Sequence, residues 1–264
     1  MSGHRSARST DDLFDAAPMY DEDYLHFWAS ETTVSDTAPA VDRTPDGDTA
    51  LIWRLLELQA GTEVLDLCCG HGPLANRLAQ RGCRVTGLDS SPVFLARARA
   101  DAAAIGVHVD YVDGDMRDLP WSDRFDCVVN WSIAFGYFGD DANRLVLGEV
   151  ARVLRPGGRM VMDLNNMTSR LVSFQTARVA VRDPGDLLVD QFRLDPLTSR
   201  LLVERTIVRG GAVCHVPFVV RLFGFPELRD WLTAAGFHRI TSCGEDGAAL
   251  HGDHHRMIVL AHRA

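Results

Sequence analysis

The chain contains no lysine: all 27 of its basic residues are arginine. That excludes every mechanism built on a lysine, including a Walker A phosphate loop, a Schiff base and a Tyr-x-x-x-Lys dehydrogenase dyad. No Cys-x-x-Cys pair occurs. Cysteines stand at Cys68, Cys69, Cys83, Cys127, Cys214 and Cys243, most of them in apolar strand-like runs. A free thiol in such a run behaves as a small hydrophobe. The pattern reads as reduced and intracellular, not as a disulfide framework. Positive charge is also short, and the formal net charge is −9. A field of that sign argues against a nucleic-acid backbone as partner. No apolar run is long enough to span a bilayer. The first 20 residues lack an apolar signal-peptide core. A cytoplasmic protein with neither membrane nor nucleic-acid partners is expected.

What is present is ample core material, with 46 % apolar residues in 264. Residues 1–45 are polar and rich in turn formers, and are read as a lid segment. They contain one aromatic island, "MYDEDYLHFWAS". Its Tyr20, Tyr24, Phe27 and Trp28 recur at three- and four-residue spacing, which predicts a short amphipathic helix. "DGDTALIWRLLELQAG" predicts a second helix, ending at Gly61. From there strands and helices alternate. The strands are EVLDL, CRVTGLD, HVDYVDGD, FDCVVNW and RMVMDLN. The helices are PLANRLAQRG, SPVFLARARADAAAIG and a stretch from about Asp141 to Leu154 that closes at "RPGG". Ser91 is placed to cap the second of these helices and Gly106 to stop it.

This rhythm predicts an α/β fold with a doubly wound, mostly parallel sheet over residues 46–167. Between Asp186 and Phe223 the period shortens, with hairpin breaks at "DPLTS" and "RGG". An antiparallel β insertion is therefore expected within 168–224. The helix "FPELRDWLTAAG" and two closing strands within 225–264 complete the core.

The informative stretch is "VLDLCCGHGPLANRL", where a buried strand turns through two cysteines and two glycines into a helix. In open α/β sheets ligands bind beyond the carboxyl ends of the strands. Gly70 and Gly72 let backbone approach a ligand, and the following helix points its free N–H groups at the same place. Asp89, at the tip of the second strand, is placed to accept from both ribose hydroxyls of a nucleoside. Asp115 can accept from an exocyclic amine, and Met116 offers an apolar face to a purine. Gly70-x-Gly72-x-x-Ala75 also fits a dinucleotide fingerprint, so a nicotinamide-dependent oxidoreductase is the competing reading. Asp66 inside the strand suits a cationic ligand better than a pyrophosphate.

"VLDLCCGHG", "VTGLDSS", "GDMRDLPW", "FDCVVNW" and "LRPGGRMVMD" together resemble the ordered motifs of class I S-adenosylmethionine-dependent methyltransferases. The resemblance implies a Rossmann-like fold, S-adenosylmethionine as cofactor and S-adenosylhomocysteine as product. It implies that Asp66 and the backbone from Cys68 to Gly72 hold the methionine moiety and that Asp89, beside Ser90, takes the ribose. Asp115 and Met116 take the adenine, and Asn130, Trp131 and Ser132 flank the sulfonium. Trp28 and Tyr20 reach the cofactor from the lid. The family usually has Gly where Cys68 stands, whereas Cys69 matches a common family residue; both are read as structural.

The loop "NWSIAFGYF" lies under the reactive methyl in this family, so Phe135, Tyr137 and Phe138 would wall the acceptor site. Tyr20 would contact methionine and acceptor together. The layout is similar to bacterial small-molecule N-methyltransferases of antibiotic and amino-sugar pathways. It implies methyl transfer to nitrogen, with oxygen as the alternative, and a β insertion that builds either an interface for self-association or part of the pocket. Positioning supplies about 7–11 kcal/mol of the barrier for such a transfer, and a base is needed only to take the amine proton. Tyr20, Tyr137 and His26 are the available relays. The cluster "HGDHH" matches no structural zinc spacing. It is expected to be a water-facing turn, with His251 or Asp246 at the acceptor as the alternative.

Overall fold

A computed structural model describes residues 21–28, 45–183 and 185–264. Five strands build the parallel part of a seven-stranded sheet: β1 (Glu63–Leu67), β2 (Arg84–Asp89), β3 (Asp110–Asp113), β4 (Phe125–Asn130) and β5 (Leu154–Asn165). β10 (Phe237–Cys243) and β11 (Arg256–Arg263) complete it, in the order β10-β11-β5-β4-β1-β2-β3. β11 runs antiparallel to β5. Strand order reverses between β1 and β4, which is where a doubly wound sheet opens a crevice.

Both faces of this sheet are covered, so its central strands are buried on either side. One face carries Leu65, Leu67, Phe125 and Met160 against α5 (Asp140–Val153) and α7 (Phe225–Ala234). The other carries Val64, Val85, Cys127 and Val129 against α2 (Pro45–Leu55), α3 (Pro73–Gln80) and α4 (Pro92–Ile105). α4 is capped as its sequence demands. The Ser91 side chain accepts from the Phe94 N–H, and Gly106 ends the helix at φ 71°.

Two of the boundaries that differ from the sequence reading have a clear local cause. α2 stops at Leu55, not Gly61, because Glu57 turns left-handed (φ 47°) and delivers Leu58 to the core. "RPGG" belongs to β5: Leu154 pairs with Phe125, the ladder bulges, and Arg159 pairs with Cys127.

The antiparallel segment is a sheet of its own, β6 (Ala177–Val181), β7 (Leu187–Asp195), β8 (Arg200–Arg209) and β9 (Ala212–Arg221) in sequential order. β6 and the short α6 (Met167–Val172) before it were not anticipated. β6 is an edge strand whose Val179 and Val181 face outward, so it lacks a buried apolar run. α1 (Glu22–Trp28) lies across the outer end of this meander. Phe27 is fully buried there with Ala180, Leu188 and Ile207. Asp23 accepts from Arg209 at 2.7 Å and His26 lies 2.9 Å from Asp186.

Candidate active site

The turn after β1 is left-handed at three of its five residues: Cys68 (φ 62°), Gly70 (φ 55°) and Gly72 (φ 80°). Only glycine adopts that conformation at no cost; elsewhere the cost is about 1–2 kcal/mol. The glycine usual at position 68 in the family is thereby explained, and Cys68 sits there under strain. Burial holds the thiols of Cys68 and Cys69 well above their ordinary values, so both are neutral.

The two glycines do different work. A Cβ on Gly70 would meet only Phe94 at 3.8 Å, so its backbone is open toward the crevice. A Cβ on Gly72 would lie 2.1 Å from the Tyr111 hydroxyl. The expectation that Gly72 serves close ligand approach is therefore corrected: it serves helix packing, and it does not line the cavity.

Asp89 locks this turn to β2. One carboxylate oxygen accepts from the Gly70 N–H at 2.8 Å and the other from the Ser91 N–H at 2.9 Å. Burial nonetheless raises its pKa. Asp66 is 2 % exposed, and its Oδ2 has no hydrogen-bond partner among the described residues. Burial, and then the charge of Asp89, push its carboxyl up to about 7. Asn130 is buried below the crevice, where its Nδ2 donates to the Leu67 carbonyl at 3.1 Å and pins β4 to β1. Asp66 and Asn130 thus support the site from beneath and are not part of the cavity wall.

Cys68, Gly70, Asp89, Ser90, Asp115, Met116, Trp131 and Ser132 come together around one cavity of about 560 Å³. Asp115 is held below the usual carboxylate range by Arg117, whose guanidinium binds it at 2.6 Å and lies 4.3 Å over the Phe138 ring. After Trp131 the chain takes two successive left-handed residues, Ser132 (φ 58°) and Ile133 (φ 59°), both in the cavity wall. Strain of this kind persists where surrounding contacts over-determine it. Here the Arg221 N–H donates to the Gly136 carbonyl at 2.8 Å and docks the loop on β9.

Tyr137 and Phe138 line the cavity as expected of them, but Phe135 does not. It is 1 % exposed and stacks on Phe223 at 5.5 Å. The left-handed pair at 132–133 turns its side chain into the core, and that correction removes it from the acceptor wall. Tyr20 and the side chain of Trp28 lie outside the described residues. Within the described part of α1, Tyr24 lines the cavity 5.4 Å from Phe94. Burial pushes its phenol up to about 12, with Tyr137 adding to the shift.

The far wall comes from the β insertion, none of whose side chains the sequence reading singles out. Arg170, Arg178, Asp190, Phe192, Arg205 and Phe218 line it, along with Leu201, Val203 and Val220. A signal existed: in "LLVERTIV" Arg205 shares the inward parity of Leu201, Val203 and Ile207, so a charge sits on an apolar face.

The histidine cluster is structural, and not wholly water-facing. His254 is 6 % exposed, with its Nε2 3.1 Å from Asp246. The Asn166 amide donates to the carbonyls of His251 and His254 at 3.0 and 2.7 Å. Neither His251 nor Asp246 reaches the cavity. Among the described residues, the ligand atoms that converge within 4.8 Å belong to His26, Asp183 and Asp186, at the lid's contact with the meander.

A glycine-open turn, a buried carboxyl beneath it with one oxygen left without a hydrogen bond among the described residues, and an acid at the tip of β2 fit a nucleoside whose tail carries an ammonium. Comparison with known proteins agrees. A family profile described as "Methyltransferase domain" matches residues 64–158. The methyltransferase GfsG of Streptomyces halstedii is 30 % identical over 209 residues, covering 73 % of each chain. This protein belongs to the class I S-adenosylmethionine-dependent methyltransferases. Demethylmenaquinone methyltransferase of Thermus thermophilus is 42 % identical over 107 residues, 39 % of this chain and 47 % of that protein. The chain thus spans about half the length of that relative. Two solved structures share the fold. CcbJ methyltransferase of Streptomyces caelestis superposes with TM-score 0.74 at 22 % identity, over 95 % of this chain and 99 % of that one. The sugar N-methyltransferase KedS8 of a Streptoalloteichus species gives 0.62 at 19 %, over 89 % and 99 %. Family membership decides against the nicotinamide reading.

Proposed function

We propose that this protein transfers a methyl group to a nitrogen atom of a small-molecule acceptor, a secondary metabolite. One observation carries the reading: a single cavity joins the cofactor cradle to an acceptor chamber closed by α1 and the meander. The whole cavity, cofactor end included, measures about 560 Å³, a size that suits a small-molecule acceptor beside the cofactor. The naming of one neighbour of this fold as a sugar N-methyltransferase supports nitrogen as the acceptor atom.

S-Adenosylmethionine, when bound, supplies an electrophilic methyl group. Asp89 and the Gly70 backbone would hold its ribose and tail, with the Asp66 carboxyl acting on the tail's ammonium only through the field it sets beneath the turn, and Asp115 with Met116 would hold its adenine. The remaining work belongs to this chain's side chains. Trp131, Ser132 and Ile133 form the floor where the two halves meet. Tyr24, Phe94 and Tyr137 exclude water from above. The high pKa of Tyr24 keeps its hydroxyl protonated, so it orients the acceptor as a hydrogen-bond donor and does not serve as the base. An amine needs little more, since positioning dominates its barrier.

The test is transfer of labelled methyl from S-adenosylmethionine to a panel of amino sugars, aryl amines and phenols. Labelled amine products support the reading. Transfer confined to phenols moves the acceptor atom to oxygen, and failure of S-adenosylhomocysteine to bind by calorimetry overturns the cofactor assignment.

A further inference from the structure

The lid helix α1 meets the meander at the turn between β6 and β7. His26 does not line the cavity, but it stands two residues from Tyr24, which does. The His26 Nε2 lies 2.9 Å from Asp186 Oδ2 and 3.6 Å from Asp183 Oδ2. All three donor atoms fall within 4.8 Å of one another.

Three features set this cluster apart from an ordinary surface ion pair. The first is spacing. Zinc holds nitrogen and carboxylate oxygen at about 2.0–2.2 Å, so neighbouring donors around a tetrahedral ion stand about 3.3 Å apart. The two separations from His26 lie on either side of that value. The second is an orphaned atom. The His26 Nε2 is buried and makes no hydrogen bond among the described residues, so Asp186 is close to it without the alignment a hydrogen bond needs. Buried polar atoms are nearly always satisfied, and an exception points to a water or an ion. The third is charge. Among the described residues neither Asp183 nor Asp186 pairs with an arginine, while Arg209 of the same region is taken by Asp23 at 2.7 Å. Two carboxylates thus converge on one imidazole, and a divalent cation answers both. Asp186 is also held in orientation. Its Oδ1 accepts from the Gly210 N–H at 3.1 Å, which leaves Oδ2 to the cluster. Outer hydrogen bonds of this kind fix metal-binding carboxylates.

We infer that His26, Asp183 and Asp186 form a binding site for a divalent transition-metal ion. One nitrogen and two oxygens suit zinc, with a fourth position open to water. Calcium and magnesium take all-oxygen sets. The ion joins α1 to the β6–β7 turn, which is distant from it in sequence. Phe27, packed among Ala180, Leu188 and Ile207, and the Asp23–Arg209 pair already hold the helix there. The ion adds a third anchor and fixes Tyr24 in the cavity wall. Its role is structural, since its ligands lie outside the cavity. The inference does not depend on the methyltransferase reading.

The experiment titrates zinc calorimetrically into the full chain after dialysis against EDTA. Expected is saturable binding near one equivalent, with a Tm that rises with zinc because only the folded state has the site. His26→Gln and Asp186→Asn should each weaken binding by roughly tenfold or more, the scale for disturbing a metal site. Asp186→Asn keeps an oxygen for the Gly210 N–H, so it tests the charge and spares the turn. Asp183→Asn, at an exposed side chain, decides the matter if either of the others unfolds. Unchanged S-adenosylhomocysteine affinity reports an intact fold in each variant. Cobalt(II) in place of zinc checks the donors: nitrogen and oxygen ligands give visible bands without a thiolate charge-transfer band. Failure to bind zinc, equally tight binding in the three variants, or a thiolate band overturns the site. So does a loss of binding confined to His251→Gln, at the other histidine cluster.

Discussion

The two ends of the cavity are built by opposite means. The cofactor end is made of backbone and of residues near one another in sequence: a left-handed turn, two strand tips and the acids that terminate them. The acceptor end is made of long side chains from strands that meet only through pairing in the meander. The first end carries negative charge and glycine, the second positive charge and aromatic rings. A ligand common to the family is met by main-chain shape together with the acids that end the neighbouring strands. A ligand particular to one protein is recognised by side chains, each of which can be exchanged without disturbing the strand that bears it.

The strongest test of that contrast is Gly72→Ala. The new Cβ would meet the Tyr111 hydroxyl in a left-handed residue. Backbone strain and overpacking together should cost about 2–4 kcal/mol of stability, read as a fall in Tm. Unchanged Tm would show that the turn tolerates a side chain at this position and that the close approach of Tyr111 does not require glycine.

Next comes Asp89→Ala. It removes two backbone hydrogen bonds to a carboxylate as well as the expected ribose contacts. S-Adenosylhomocysteine binding should weaken by about 1–3 kcal/mol in calorimetry. Full affinity would place the ribose elsewhere.

Asp66 gives the contrast a pH dependence. Its folded pKa, about 7, stands above the ordinary value of 3.8. Between those two pH values the folded protein keeps a proton that the unfolded chain has released. Its contribution to stability therefore falls as pH rises through that window, and is lowest above 7. Asp66→Asn should be more stable than wild type by a margin that grows from pH 5 to pH 8 in denaturant unfolding. A margin independent of pH would mean that Asp66 is ionised throughout.

At the acceptor end, Tyr24→Phe removes one hydroxyl and keeps the ring against Phe94. Expected is a fall in kcat/KM equivalent to about 1 kcal/mol, with S-adenosylhomocysteine affinity unchanged. Equal losses in both would erase the boundary between the two ends.

The smallest effect is a gain. Cys68→Gly relieves a left-handed non-glycine residue, and should raise stability by up to about 1 kcal/mol, since glycine's added freedom in the unfolded chain offsets part of the relief. A loss of stability on thermal melting would mean that the Cys68 side chain contributes packing that exceeds the strain.

Much of the cofactor end was legible beforehand because its determinants are local. β1, β2 and α4 stand where apolar runs, Ser91 and Gly106 put them. Asp89, Asp115 and Met116 reached the cavity because strand tips are where such patterns end. Phe135 did not, since two left-handed residues ahead of it rotate the loop by an amount no spacing rule anticipates. Tyr24 and Tyr137 could be shortlisted, but an aromatic island at helical spacing does not say which ring faces inward until the helix has a surface to lie on.

By itself the sequence determined the order of strands and helices in the parallel core, the position of the glycine turn and the acids that surround it, because hydrophobic period and turn chemistry act over a few residues. Tertiary structure alone decided that Arg178, Asp190 and Arg205 form one row, and that Gly72 answers to Tyr111 and not to a ligand. Those facts depend on register and on packing between distant segments, where a one-residue slip would turn every side chain to the opposite face.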